Sequence, residues 1–161
     1  MDGWPDVGPP VLIENHGGFE MAVSEALLEV RDYSGDGYQP IIDYGAWRVA
    51  ILRYHAELEP DAIATMQRHD ETDEVFVLLA GRCILFLGEG EAQIEAIHAV
   101  DMQPLKAYNV KRGVWHSHTL NREASVLIVE NRDTSKANSP VTPLTDHQRG
   151  DLVRQTTALW G

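Results

Sequence analysis

The stretch "MQRHDETDEVFVLLAGR", residues 66–82, decides how this chain is read. Its second half, "DEVFVLLAG", is rich in the β-branched and aromatic residues that favour a strand. Its first half crowds together groups that can bind a cation. Side chains alternate across a strand, so Gln67 and His69 share a face. "DETD", 70–73, is a polar turn, and Glu74 opens the next strand with Phe76 and Leu78 on its side. A tight hairpin at this turn would bring Gln67, His69 and Glu74 to one point.

On either side the same rhythm continues. "RCILFLGEG" follows at once and reads as the return strand of a hairpin turning near Gly81. "AWRVAILRYHAEL" precedes, and "AQIEAIHAV", "LKAYNV", "VWHSHTL" and "SVLIVEN" follow at short spacings. About seven short strands with no helix between them predict an all-β antiparallel sandwich or barrel. The tail "PLTDHQRGDLVRQTTALW" predicts a closing helix over about 145–160, with Thr145 as N-cap and Gln148 as its capping-box partner. Leu152, Val153 and Leu159 would be its apolar side. Upstream, the prolines and glycines of residues 1–10 read as an extended arm. "FEMAVSEALLEV", 19–30, fits a helical stripe or a strand, and "DYSGDGYQP" is turn chemistry.

The 161 residues suit a single domain. A formal charge of −12, spread along the chain, repels phosphate backbones, and no basic patch offsets it, so no nucleic-acid partner is expected. No apolar run approaches the roughly 20 residues of a membrane span. "MDGWPDVGPP" lacks the basic and apolar regions of a secretory leader. With one cysteine, Cys83, set in "RCILFL", the chain reads as a reduced, cytoplasmic protein in which Cys83 is a small core residue. There is no G-x-S-x-G, P-loop, G-x-G-x-x-G or C-x-x-C.

Late in the chain "KRGVWHSHTL" supplies His116 and His118, again on one face, with Trp115 turned to the opposite face as packing. One carboxylate, two or three imidazoles and an amide oxygen suit a divalent transition metal such as Mn, Fe, Ni, Co or Zn, whereas calcium takes an all-oxygen set. His118 has three readings: a fourth imidazole, an acid/base group, or a structural histidine. Arg48, Tyr54 and Tyr108 lie on predicted strands, where they would either project inward to bind an anionic or hydroxylated ligand or serve surface and packing. Glu130 and Arg132 in "VENRDTS" either pair across a barrel mouth or lie in a solvated loop.

On these residues the chain resembles a cupin, the small double-stranded β-helix or jelly-roll family, over roughly 45–132. The arm would then be 1–44, within a single domain of 1–161. The family's first motif is G-x5-H-x-H-x3–4-E-x6-G, onto which His69, Glu74 and Gly81 fall. Its second is G-x5-P-x-G-x2-H-x3-N, matched by Gly113 and His116. The resemblance implies that His69, Glu74 and His116 are metal positions and that Gln67 takes the fourth. Asp61 and Leu105 replace the opening glycines, Lys111 the proline and Leu120 the asparagine, which appears one residue late as Asn121.

The resemblance implies two functional classes. In one, a barrel-bound metal holds two oxygens of a sugar, hydroxy acid or keto acid, and Glu74 or His118 moves a proton, which favours isomerase, epimerase or lyase chemistry. In the other, the chain binds or senses a small molecule without turnover, a reading favoured by Gln67 and the other departures. A homodimer is expected from the resemblance, through edge strands or exchange of residues 1–20.

Overall fold

Twelve strands and one α-helix make up residues 11–13 and 21–161, which are the residues described by this computed structural model. The chain divides into two units, residues 1–32 and 33–161. In the first, β1 (Val11–Ile13) pairs antiparallel with β2 (Met21–Val23). The stripe read over 19–30 is thus partly strand, followed by a single turn in which Leu27 and Leu28 donate to the Ser24 carbonyl. The arm expected at 1–10 lies outside the described residues.

The second unit is two antiparallel five-stranded sheets. One runs in the order β3 (Tyr38–Tyr44), β4 (Trp47–Arg53), β11 (Ser125–Asn131), β6 (Glu74–Ala80), β9 (Ala107–Val110). The other runs β12 (Val141–Pro143), β5 (Thr65–Gln67), β10 (Trp115–Leu120), β7 (Cys83–Glu89), β8 (Ala96–Asp101). The barrel therefore begins at Tyr38, inside the span read as arm, and β12 adds an edge beyond residue 132. From β5 to β12 the chain passes between the two sheets at almost every connection.

That crossing corrects two expectations. β5 and β6 do not form a hairpin, nor do β6 and β7, because the members of each pair belong to different sheets. Residues 70–73 span the gap at one corner. At the other corner Gly81 makes the turn at φ 71°, and a Cβ there would lie 2.5 Å from the Ala124 backbone. Asn121, displaced by one from its motif position, holds the same corner by accepting from the Arg82 N–H at 2.8 Å.

Burial explains why "RCILFL" lacks alternation. Cys83 and Leu85 face the barrel interior with Leu52, Phe76, Leu78, Val126 and Ile128. Ile84 and Phe86 face outward, yet they are buried with Met66, Trp115 and Leu152. Leu152 comes from α1 (Asp146–Trp160), which lies along β8 and starts with the capping box expected at Thr145 and Gln148. A strand covered on both faces reads as continuous apolar sequence. Leu152 and Thr156 are the buried helix positions, whereas Val153, about 100° around the helix from Leu152, and Leu159, in the last turn, are exposed.

Candidate metal centre

β10 carries His116 into the gap between the sheets, and β6 carries Glu74 from the opposite side. His69, two residues past the end of β5, completes the group. Its backbone is clamped: its carbonyl accepts from Gly113 N–H at 2.8 Å, while Arg68 and Asp70 N–H donate to the carbonyls of Pro140 and Asn138. The positive φ of Gly113, 79°, shapes the turn that delivers the first of these bonds. His69, Glu74 and His116 are 6%, 4% and 1% exposed. One ligand atom from each lies within 4.8 Å of the others.

The protonation pattern leaves these atoms facing one another as acceptors. His116 Nδ1 lies 2.9 Å from the Val114 carbonyl, which only accepts, so Nδ1 carries the proton and Nε2 a lone pair. His69 Nδ1 lies 2.7 Å from Ser139 Oγ. The two Nε2 atoms approach Glu74 Oε2 at 2.7 Å (His116) and 3.2 Å (His69). None of the three finds a hydrogen bond of acceptable geometry. Buried acceptors at such distances require a positive charge among them. Two imidazole nitrogens and a carboxylate oxygen are a donor set that fits a divalent transition metal.

In the metal-free protein a proton meets the same demand. Burial acts to raise the Glu74 pKa, but the adjacent His116 and His69 rings bring it down to about 2. Burial acts to lower the His69 pKa, yet Glu74, Glu130 and Asp70 lift it above the usual histidine value.

A cavity of about 440 Å³ opens onto this centre. Gln67, His69, Glu74, His118 and Arg48 line it, together with Tyr38, Glu130 and the segment Thr134, Ser135, Lys136 and Ser139. Gln67 is directly opposite His116 on the β5–β10 ladder. His118 Nδ1 is buried without a partner, and burial lowers its pKa to about 4, so the ring is neutral. The Phe76 ring stands beside both imidazoles of β10, with centroids 6.2 Å from His116 and 5.9 Å from His118. Arg48 reaches the cavity while forked onto Asp43 at 2.8 and 3.1 Å.

Two expected ligand-binding residues are elsewhere. Tyr54 lies just past the end of β4, donates to Glu59 and stacks under Arg122 at 4.6 Å. Tyr108 packs against the barrel core and accepts from Gln103 N–H at 2.8 Å. Glu130 does not pair with Arg132. It is 6% exposed, accepts from the Tyr38 hydroxyl and lies 3.7 Å from His69 Nε2. Its alternation with Val126 and Ile128 on β11 was the available sign that it points inward. Trp115 packs outside, as expected, with the Arg68 guanidinium 4.6 Å from its ring.

No family model matches the chain. A ureidoglycolate lyase of Burkholderia cepacia is 27% identical over 121 residues, covering 73% of this chain and 64% of that protein, so the chain spans less than two thirds of the relative's length. Among solved structures, a cupin-2 domain protein of Shewanella frigidimarina is similar at 16% identity, covering 62% of this chain and 85% of that one, with a TM-score of 0.45. KdgF from Halomonas is similar at 11% identity, covering 62% and 81%, with a TM-score of 0.44. No helix among the described residues is long and apolar enough to cross a membrane. Two five-stranded antiparallel sheets crossed at nearly every connection make a double-stranded β-helix of the jelly-roll type, and His69, Glu74 and His116 meet between them, an arrangement similar to that of the cupins.

Proposed function

We propose that the chain binds one divalent transition metal through His69, Glu74 and His116 and uses it to act on a small polar metabolite, such as a sugar, hydroxy acid or keto acid, in isomerase, epimerase or lyase chemistry. The observation that carries this reading is the convergence of three buried ligand atoms without hydrogen-bond partners, two of them, on His69 and Glu74, at the wall of a 440 Å³ cavity. The 27% identity to a ureidoglycolate lyase favours the lyase branch. A bound metal supplies Lewis acidity, which polarises a ligand oxygen and acidifies the neighbouring C–H or O–H. Gln67 is a weak fourth donor beside His116. Arg48 and Lys136 present positive charge to an anionic ligand, and Glu130 presents an acceptor. Glu74 and His118 are the candidates for moving a proton, and the neutral state of His118 makes it an acceptor at that step. A cytoplasmic homodimer belongs to the same reading.

Gln67, where the motif has histidine, favours a second reading, in which the barrel binds a small ligand without turnover. Metal analysis of tag-free protein, produced with Mn, Fe, Co, Ni and Zn supplied, separates the two. A stoichiometric transition metal that is lost in His69→Ala and His116→Ala supports the first reading. Metal-free wild-type protein under those conditions overturns it.

A further inference from the structure

We infer that Ser139 is a positioning residue: its hydroxyl, oriented by Asn138, holds the His69 ring with Nδ1 protonated and thereby presents the Nε2 lone pair to the metal centre. The inference deepens the metal-binding reading and rests on it for its effect on affinity, though not for its effect on the ring.

The direction of each hydrogen bond follows from one that cannot reverse. Asn138 Oδ1 accepts from the Ser135 backbone N–H at 2.8 Å, which identifies that side of the amide as oxygen. The other side agrees, because Asn138 Nδ2 donates to the Asp133 carbonyl at 2.8 Å and to Glu71 Oε2 at 3.3 Å. Ser139 Oγ lies 3.1 Å from the same Oδ1. An amide oxygen has no proton to give, so the serine hydroxyl is the donor. Its hydrogen being committed, Ser139 Oγ meets His69 Nδ1, 2.7 Å away, as an acceptor. The proton between them belongs to Nδ1. Were the hydroxyl turned to His69 instead, Oγ and Oδ1 would face each other as two acceptors.

The relay is short and well anchored. The Asn138 carbonyl also accepts from Asp70 N–H at 2.8 Å, beside the histidine being oriented. His116 achieves the same tautomer with a backbone carbonyl, which no side-chain substitution can remove. The two imidazoles thus match in protonation but differ in how they are supported. His69 alone depends on a replaceable side chain, and that side chain lies on the cavity-lining segment between β11 and β12.

The first test uses metal-free protein at alkaline pH, with long-range ¹H–¹⁵N spectra of the imidazoles. Wild type is expected to show His69 as the Nδ1–H tautomer. Ser139→Ala is expected to move it toward the commoner Nε2–H form while leaving His116 unchanged, and Ser139→Thr, which keeps the hydroxyl, restores it. An Nε2–H ring in wild type, or an unaltered ring in Ser139→Ala, overturns the inference whether or not the protein binds metal. The second test is competition for Zn²⁺ or Co²⁺ against a chromophoric chelator. Ser139→Ala is expected to weaken affinity about 10- to 100-fold, the usual scale for losing the partner of a ligating histidine, with recovery in Ser139→Thr. Equal affinities in wild type and Ser139→Ala overturn the link to the metal. A wild-type protein that binds neither ion, yet shows the expected tautomers, counts against the metal-binding reading and leaves the orienting role standing.

Discussion

His116 Nε2 and Glu74 Oε2 stand 2.7 Å apart although their strands belong to different sheets. The contact is made across the barrel interior, between side chains that each cost free energy to bury. It persists because the second imidazole, His69, approaches the same carboxylate, so that two rings and one carboxylate can enclose a cation. Either a metal or a proton satisfies them.

Gln67 is the weak point of this centre, and replacing it tests the assignment from the favourable direction. Gln67→His places a third imidazole opposite His116 on the ladder. Metal affinity is expected to tighten by about tenfold or more, the scale on which changes around a ligand set are felt, whereas Gln67→Ala changes it little. Chelator competition measures both. A weaker Gln67→His protein would mean that position 67 does not face the ion.

Acid should loosen the corner beside the centre. Asp73 accepts from the Arg112 N–H at 2.8 Å, from Asn109 at 2.9 Å and from Lys111 at 3.0 Å. The Arg112 N–H first, then Lys111 and Asn109, hold its pKa down to about 2, against 3.8 for an ordinary aspartate. A lowered native pKa means stabilisation that is complete above 3.8 and disappears as pH falls through about 2. Carboxyl chemical shifts should place its midpoint near 2. Asp73→Ala should flatten the acid limb of the stability curve over that interval.

Gly81 and Gly113 share a left-handed backbone but have different surroundings. Alanine at 81 would meet both the strain of φ 71° and the Ala124 backbone at 2.5 Å. At 113, φ is 79° and nothing lies within 4 Å of the added carbon. Strain alone costs about 1–2 kcal/mol. Denaturant melts should show Gly113→Ala losing about that much and Gly81→Ala considerably more.

Leu105 occupies a motif glycine position with φ 64° and is 86% exposed. It carries the strain of a left-handed conformation with little burial in return. Leu105→Gly is expected to raise stability by up to about 1 kcal/mol, the relief of strain exceeding the extra freedom glycine has when unfolded. An unchanged or lower melting temperature would show that the Leu105 side chain makes a contribution its exposure does not reveal.

Much of the barrel and its site could be read from the chain because both depend on local pattern. The residues flanking 70–73, the pair around Gly113 and the cap at Thr145 each announce themselves within a few positions. Sheet membership did not, since alternation shows that a residue faces inward without saying which of two sheets carries it. The two expected hairpins failed for that reason. Tyr54 and Tyr108 failed on distance along the barrel: one lies past its strand, and the other is locked to Gln103 away from the cavity. Arg48 does line the cavity, because it faces Glu130 across β4 and β11 at the end where the cavity opens. Ser139 was invisible, because its value depends on a loop returning from 70 positions downstream.

The passage from β5 to β6 has one more consequence. Residues 70–73 form one of several short leashes between the two layers, and a ligand sits at each end of it, His69 and Glu74. Four residues leave little slack. Fluctuation of one layer against the other is therefore damped at the place where a captured ion would feel it.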